Sequence, residues 1–510
     1  MHLGVDFGTT RTIVAYADRG NYPVVAFRDA SGDAQEHLPT VAALEGGELV
    51  YGFEALAAAE RGALPLRSFK RALASPEVGP QTRVDVGGRE VLLLDLITGF
   101  ATALRRELLT TSSVRELLAG EPVTAAIAVP AHAHGAQRFL TLEAFRRAGF
   151  DVTAMVNEPS AAGLEYSHRQ GRTLNSRRTR VVVYDLGGGT FDASLVKVDG
   201  TAHEVLDSLG LNHVGGDDID VVLADCVLGT AGRTWEQLDD HAQAELLTEC
   251  REAKERLSPQ AKRLVVDVDG EPVIVPVADF YARAAGLVDL TIGAMGPLLG
   301  MLDVDDSPDL ADIAGIYLVG GASGLPLVPR MLRERFGRRV HRSPYPAAST
   351  AIGLAIAADR SSGYSLTDRL SRGFGVFREG DGGRRLSFDP IISRDAVLPG
   401  ADTTDRVVVT RRYVAAHNIG WFRFVEYAAL DEWGEPRGDI VPFAQVVFPF
   451  SPELQGREDL AQIGVQRTER GPLIEERYTI DPHGKVEVDL TCLDTGYTQT
   501  HALRVREPVG

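Results

Sequence analysis

Cysteine is scarce: Cys226, Cys250 and Cys492 are the three in 510 residues, far apart and odd in number. That excludes a disulfide framework and any zinc site of paired cysteines, and it suits a reducing cytoplasm. No apolar run is long enough to span a membrane. The first residues enter a strand at once, with no basic segment ahead of an apolar stretch, so no secretory leader is expected. Positive charge is in deficit: 53 Lys and Arg stand against 71 Asp and Glu, a net −18. Such a balance argues against general affinity for nucleic acid or for anionic membranes. The 12 histidines form no metal-ligand cluster; His132 and His134, close in sequence, read as surface-loop residues.

Apolar residues make up 44% of the chain, an ordinary globular share. A chain this long exceeds one ordinary core, so about two to four domains are expected. Two segments stand out. Val181-Val182-Val183-Tyr184-Asp185-Leu186-Gly187-Gly188-Gly189-Thr190-Phe191-Asp192 is an apolar strand ending in Asp, a glycine turn and a second strand. Leu3-Gly4-Val5-Asp6-Phe7-Gly8-Thr9-Thr10-Arg11-Thr12-Ile13-Val14 repeats the plan at the N-terminus. Small turn residues let backbone N–H groups approach an anion closely, and the neighbouring Asp suits magnesium, directly or through water. Two such hairpins predict duplicated halves gripping one magnesium-phosphate group. They are not a dinucleotide fingerprint, because each turn leads into a strand, and no Gly-Lys-Ser/Thr follows to make a P-loop.

Strands and helices alternate over the first 360 residues, as in an α/β domain. Ala125 to Pro130 reads as a buried strand, Gln137 to Ala148 as the helix after it with Gly149 as its stop, and Ile97 to Leu109 and Glu245 to Leu257 as further helices. Ile316-Tyr317-Leu318-Val319-Gly320-Gly321 is another strand running into glycines, on which the small-residue helix Ala348 to Ala358 is expected to pack. Beyond Ser361-Ser362-Gly363 long helices give way to alternating strands at Arg406 to Thr410, Trp421 to Tyr427, Gln445 to Pro449, Glu476 to Ile480 and Val486 to Leu490. Asp481-Pro482-His483-Gly484 makes a hairpin turn between the last two. This part reads as an all-β sandwich.

The order of these motifs resembles the seventy-kilodalton heat-shock chaperone family, with DnaK as its bacterial representative, within the actin and sugar-kinase superfamily of ATPases. Asp6-Phe7-Gly8-Thr9-Thr10 and Asp185 to Asp192 match the family's two phosphate motifs. Phe69-Lys70-Arg71 and Val156-Asn157-Glu158-Pro159-Ser160-Ala161-Ala162 match the segments of the catalytic lysine and glutamate. Leu318-Val319-Gly320-Gly321-Ala322-Ser323 matches the adenosine motif, Gly215-Gly216-Asp217-Asp218-Ile219-Asp220 a further signature, and Asp389-Pro390-Ile391-Ile392 with the Tyr478 to Leu490 hairpin the peptide-binding sandwich. The resemblance implies a duplicated actin-like ATPase domain over 1–360, a linker over 361–369, and a β-sandwich over 370–510 that binds a substrate or partner.

It also implies roles. Backbone amides of Gly8, Thr9, Thr10 and Arg11 and of Gly187, Gly188, Gly189 and Thr190 would cradle the phosphates of ATP or ADP. Asp6 and Asp185 would hold hydrated magnesium. Lys70 would stand beside the γ-phosphate, Glu158 and Asp192 would orient the attacking water, and Thr190 would donate to the γ-phosphate. Gly215, Gly216, Arg251, Lys254, Ser258, Gly320, Gly321 and Gly324 would complete the nucleotide site.

The departures are as informative. Gly324 stands where the family usually stacks an arginine on adenine, and Arg251 where a glutamate often reaches the ribose. The apolar linker is reduced to Tyr364-Ser365-Leu366-Thr367-Asp368, too poor in leucine to dock firmly. Ala154 replaces the arginine that typically receives J-domain cochaperones, which counts against such a partner while leaving a nucleotide exchange factor open. Ala415 falls at an arch position of the sandwich, and Phe422 where a smaller valine usually lines the peptide pocket. The sequence ends soon after the last strand, so no helical lid is expected. The reading is a cytoplasmic, magnesium-dependent chaperone-type ATPase with a polypeptide client. The alternatives are an ATP-switched scaffold holding one dedicated protein and a small-molecule kinase.

Overall fold

In the computed structural model of the chain, the two glycine turns each close an antiparallel hairpin inside its own sheet. The structure describes residues 1–170, 174, 178–268, 270–300, 312–367, 370, 372–380, 385–394, 396–398, 405–482 and 484–502. Asp368 of the linker and His483 of the last hairpin turn lie outside them.

Strand His2–Phe7 pairs with Arg11–Tyr16, placing Val5 opposite Val14 and Asp6 opposite Ile13. Arg180–Leu186 pairs with Phe191–Asp199, placing Asp185 opposite Asp192. On its other edge each first strand takes a parallel neighbour: Thr124–Val129 for the first, Ile313–Val319 for the second. Each neighbour takes a further parallel strand, Asp151–Asn157 and Val340–Arg342. The same four-strand arrangement therefore occurs twice, as duplicated halves require. Val181, Val182, Val183 and Tyr184 are all buried, because a sheet covered on both faces makes every position a core position.

The predicted helices form at Leu93–Thr110, Gly135–Arg147, Asp240–Glu255 and Ser349–Ala358. Gly149, the expected stop, takes a left-handed φ of 86° just past the second of them. Asp239 caps the third, its carboxylate accepting from Ala242 N–H at 2.8 Å. The small-residue helix corrects its expectation: it packs on the N-terminal hairpin and on helix Glu158–Gln170, not mainly on Ile313–Val319. Its alanines and Gly353 let those backbones come close.

The linker is a second correction. Ser365–Thr367 joins the six-stranded sheet as an edge strand next to Ala202–Leu211. Ser365 N–H donates to Thr201 C=O at 3.1 Å, while Tyr364 and Leu366 pack on neighbouring core clusters. A backbone ladder needs no leucines, which is why apolar content misjudged this segment.

The chain divides into two compact units: 1–72, 83–132 and 144–366 form one; 73–82, 133–143 and the residues from 367 on form the other. In the second, two four-stranded sheets make a sandwich. One runs in the order Arg385–Ile392, Gly373–Gly380, Ile419–Leu430, Pro436–Pro449, and the other Val407–Val414, Leu473–Ile480, Val486–Cys492, Tyr497–Ala502. Inward positions alternate along Val486–Cys492, and the core holds Phe374, Phe424, Phe448, Tyr478 and Leu490. Arg378 reaches Glu476 through two hydrogen bonds, of 2.9 and 2.7 Å, and Asp389 through a third of 2.7 Å. That fork ties the sheets together at the fully buried Glu476.

Candidate functional site

Asp6 and Asp185 sit near the C-terminal ends of their strands, the side of an α/β sheet where sites collect. Between them opens a cleft of about 360 Å³. The two glycine turns touch across it. A Cβ on Gly188 would stand 2.8 Å from Thr10 Cγ2, and one on Gly189 2.8 Å from Thr9 Cγ2, so larger residues would force the turns apart. The next helix, Gly216–Ala231, holds the second turn from behind: Gly216 N–H donates to Gly187 C=O at 2.9 Å and Asp217 N–H to Gly188 C=O at 2.7 Å.

The cleft is lined by Asp6, Gly8, Thr9, Thr10, Arg11, Lys70, Glu158, Asp185, Gly187, Gly188, Thr190, Gly216, Arg251, Lys254, Gly320, Gly321 and Gly324. Gly189, Gly215 and Asp192 stand just behind that lining; Gly215 lies against the backbone of Gly188 and Gly189. Ser258 is not brought to it. The helix ends at Glu255, and Ser258, in the turn beyond, is exposed with its carbonyl accepting from Ala261 N–H. Ala415 and Phe422 belong to the second unit, where both are buried in the sandwich core; the Phe422 ring stacks on Phe424 at 5.9 Å.

Lys70 Nζ donates to Glu158 Oε1 at 2.8 Å, both side chains nearly excluded from solvent, and lies 5.4 Å above the Phe7 ring. Asp6, Asp185, Glu158 and Asp192 surround this one ammonium. Burial pushes Asp6 up to about 7, with Glu158 adding and Lys70 opposing. Asp185 is driven well above the ordinary carboxylate range, by burial first and then by Glu158 and Asp6. Glu158 is raised by burial against the pull of Lys70. For Lys70, burial acts downward, but Glu158 and Asp6 outweigh it and the net shift is upward. Around Lys70 the carboxylates thus outnumber the cation. Among the described residues no group of three or more acidic, histidine or cysteine side chains could hold a metal ion. A buried Asp185 and a half-buried Asp6, both costly to ionise, fit a cation that keeps its waters, as magnesium does.

Lys70 is placed by a short 3₁₀ helix, Phe69–Ala74, preceded by Ser68 at a left-handed φ of 54°. Ser68 donates to Asp217 at 2.5 Å and Arg71 to Asp218 at 3.1 Å, so the lysine segment is tied to the helix beside the second turn. Arg11 pairs with Glu255 across the mouth of the cleft. Arg251 bonds Asp217 at 3.1 Å, and Lys254 meets Asp220 at 2.6 Å and Gly216 C=O at 2.7 Å.

Two residues were missed. A Cβ on Gly324 would lie 3.3 Å from Arg342 Nη2, so a guanidinium from strand Val340–Arg342 occupies the space beside that glycine and lines the cleft. His132 and His134 are not surface residues. His134 is buried, and His132 reaches Asp192 with Nδ1 at 3.0 Å. Its position just beyond Val129, at the C-terminal end of a parallel strand, was the signal available.

The profile of the family described as Hsp70 protein matches residues 107–372. The chaperone protein DnaK of Thermosipho africanus is 29% identical over 487 residues, covering 88% of this chain and 75% of its own. DnaK of Thermotoga neapolitana is 30% identical over 424 residues, 78% of this chain and 66% of its own. A chaperone protein HscA homolog of Acidithiobacillus ferrooxidans is 32% identical over 382 residues, 72% of this chain and 59% of its own.

Proposed function

The chain belongs to the Hsp70 family of chaperone-type ATPases, and from that premise we propose how its cleft hydrolyses ATP and what its sandwich holds. The observation that carries the reading is the buried Lys70–Glu158 pair, set beside Asp6 and between two touching glycine turns.

Backbone N–H groups of Gly8 to Arg11 and Gly187 to Thr190 receive the phosphate oxygens. Asp6 and Asp185 would hold hydrated magnesium, which when bound supplies charge neutralisation to the β- and γ-phosphates. Lys70 stands beside the γ-phosphate and the entering water. Asp192 and Glu158 orient that water, and Thr190 donates to a γ-phosphate oxygen. The water oxygen bonds to phosphorus as the bond to the bridging oxygen breaks and ADP departs, and the water's proton passes to a carboxylate or to an oxygen of the phosphate formed. Lys254 and Arg251, held by Asp220 and Asp217, face the ribose. Single-turnover hydrolysis by Asp185→Asn tests the magnesium role: a parent-like rate with unchanged magnesium dependence would remove it.

For the sandwich we take a polypeptide as ligand. The Phe422 ring is buried in the sandwich core against Phe450, which favours a dedicated protein partner over extended leucine-rich peptides that need an open apolar pocket. Fluorescence anisotropy with a leucine-rich peptide decides between them. Weak binding by the parent that tightens on Phe422→Val supports the filled pocket; tight binding by the parent refutes it.

A further inference from the structure

Asp192 is held in a way that the reaction above does not by itself require. The residue is 1% exposed. Oδ1 accepts twice, from Ala131 N–H at 3.0 Å and from His132 Nδ1 at 3.0 Å. The second ring nitrogen of His132, Nε2, meets Asn212 Oδ1 in a short contact. Strand Ala202–Leu211 makes room for the ring at Gly210, where a Cβ would stand 2.0 Å from Nδ1 and 2.9 Å from Asp192 Oδ1. Three chain segments therefore converge on one imidazole: the end of Thr124–Val129, the start of Phe191–Asp199, and the end of Ala202–Leu211.

An ionised carboxylate only accepts, so Nδ1 must carry a proton whichever way the Asn212 amide is turned. Both donors fall on Oδ1, and neither engages Oδ2. We propose that His132 is a positioning residue for ATP hydrolysis: it locks the Asp192 carboxylate in the orientation that leaves Oδ2 to the water, and it does so best as the imidazolium bonded to both Asp192 and Asn212. This rests on the hydrolytic reading of the cleft. His132, like Asp192, stands behind the residues that line the cleft, and its contact is with that carboxylate. The charged groups facing it are Asp192 on its strand and Glu158 at the start of helix Glu158–Gln170, with Lys70 bound to Glu158; Asn212 is neutral. Burial acts against the charged ring, but Asp192 and the two hydrogen bonds hold it above the ordinary histidine value.

The experiment measures single-turnover ATP hydrolysis with magnesium, and ATP affinity, across pH 6 to 9.5 for the full-length parent and three variants. His132→Phe keeps a ring but removes both donors. His132→Asn keeps a donor near Nδ1 but cannot titrate. Asp192→Asn is the control for the reading itself. Expected results are a parent rate that falls as the pH rises past the histidine range, a His132→Phe rate lower by about ten- to a hundredfold with ATP affinity unchanged, and a His132→Asn rate largely restored with that alkaline fall gone. His132→Phe at the parent rate while Asp192→Asn is slow would overturn the inference and leave the reading intact. Equal slowing by His132→Phe and His132→Asn would reduce the histidine to packing and also overturn it. An Asp192→Asn variant as fast as the parent would instead sink the reading. Should the His132 variants not fold, the parent's own profile decides: a flat rate through pH 9.5 overturns the charged-ring role.

Discussion

Replacing Lys70 separates catalysis from stability. Lys70→Met keeps the apolar stem above Phe7 and removes the charge. Lys70 and Glu158 are 7% and 11% exposed, so the substitution leaves a buried carboxylate without its counter-charge. Breaking one side of a buried pair costs about 3–5 kcal/mol. Here the carboxylate can take up a proton instead, since burial already raises it, so a loss near the low end is expected. The catalytic loss has a different origin: positive charge is missing where negative charge develops, which lowers the rate by at least about a hundredfold. The double variant Lys70→Met/Glu158→Gln tells these apart. It removes both buried charges, so most of the stability should return while hydrolysis stays as slow as in Lys70→Met. The measurements are denaturant unfolding without nucleotide, ATP affinity by calorimetry, and single-turnover hydrolysis. A Lys70→Met protein that hydrolyses ATP at the parent rate would refute the catalytic assignment. A double variant as unstable as the sum of its singles would refute the buried-pair argument.

Other outcomes follow from particular groups. Arg342 fills the space beside Gly324, so Arg342→Ala should weaken ATP binding about fivefold, the worth of one planar cation contact of roughly 1 kcal/mol. Gly324→Arg should bring no gain, because its side chain would enter space that Arg342 holds; calorimetry showing the reverse order would move the base contact elsewhere. Because Ser365 N–H is bonded to Thr201 C=O, its amide should exchange slowly with solvent hydrogen, and Leu366→Asp should speed that exchange; equally fast exchange in parent and variant would mean the edge strand does not form in solution. Glu426, in the second unit, is buried and pushed up to about 7 by burial, against the pull of Gly135 N–H, Arg372 and Arg138. Its folded value lies above the unfolded one near 4.5, so the folded state holds the extra proton between these values. Stability from this group is therefore complete below about pH 4.5 and lost as the pH rises through about 7. Glu426→Gln should flatten the stability of the second unit between pH 5 and 8, and an unchanged slope in denaturant unfolding would count against this assignment.

The site was legible in sequence where chemistry rests on backbone geometry. Asp6, Gly8, Asp185 and Gly187 announce themselves because a turn that cradles phosphate tolerates few residue types, and duplication of the pattern compounds the signal. The Lys70–Glu158 pair was reached through family resemblance; nothing in the local spacing places residues 88 apart within 2.8 Å. His132 was hard to read for a related reason, its place after a strand end being the one signal. Its two partners lie 60 and 80 residues away, and a histidine after a proline carries no periodicity that marks it as buried. Arg342 was missed because it comes from a different strand, and no local spacing ties it to Gly324.

That substitution of source for source recurs across the chain and explains how a divergent sequence keeps one architecture. Beside Gly324 a guanidinium stands that comes from strand Val340–Arg342. In the linker most leucines are gone, and a backbone hydrogen bond from Ser365 with the single Leu366 supplies the docking. Beside Asp192 an imidazole fixes the carboxylate, and Gly210 supplies the room it needs. In each case the requirement is a group at a point in space, set by the ligand or the sheet, and the chain meets it from whichever segment passes nearby. Sequence reading therefore fails first at side-chain identity, as it did at Arg342 and His132, and last at the two glycine hairpins on which the cleft is built.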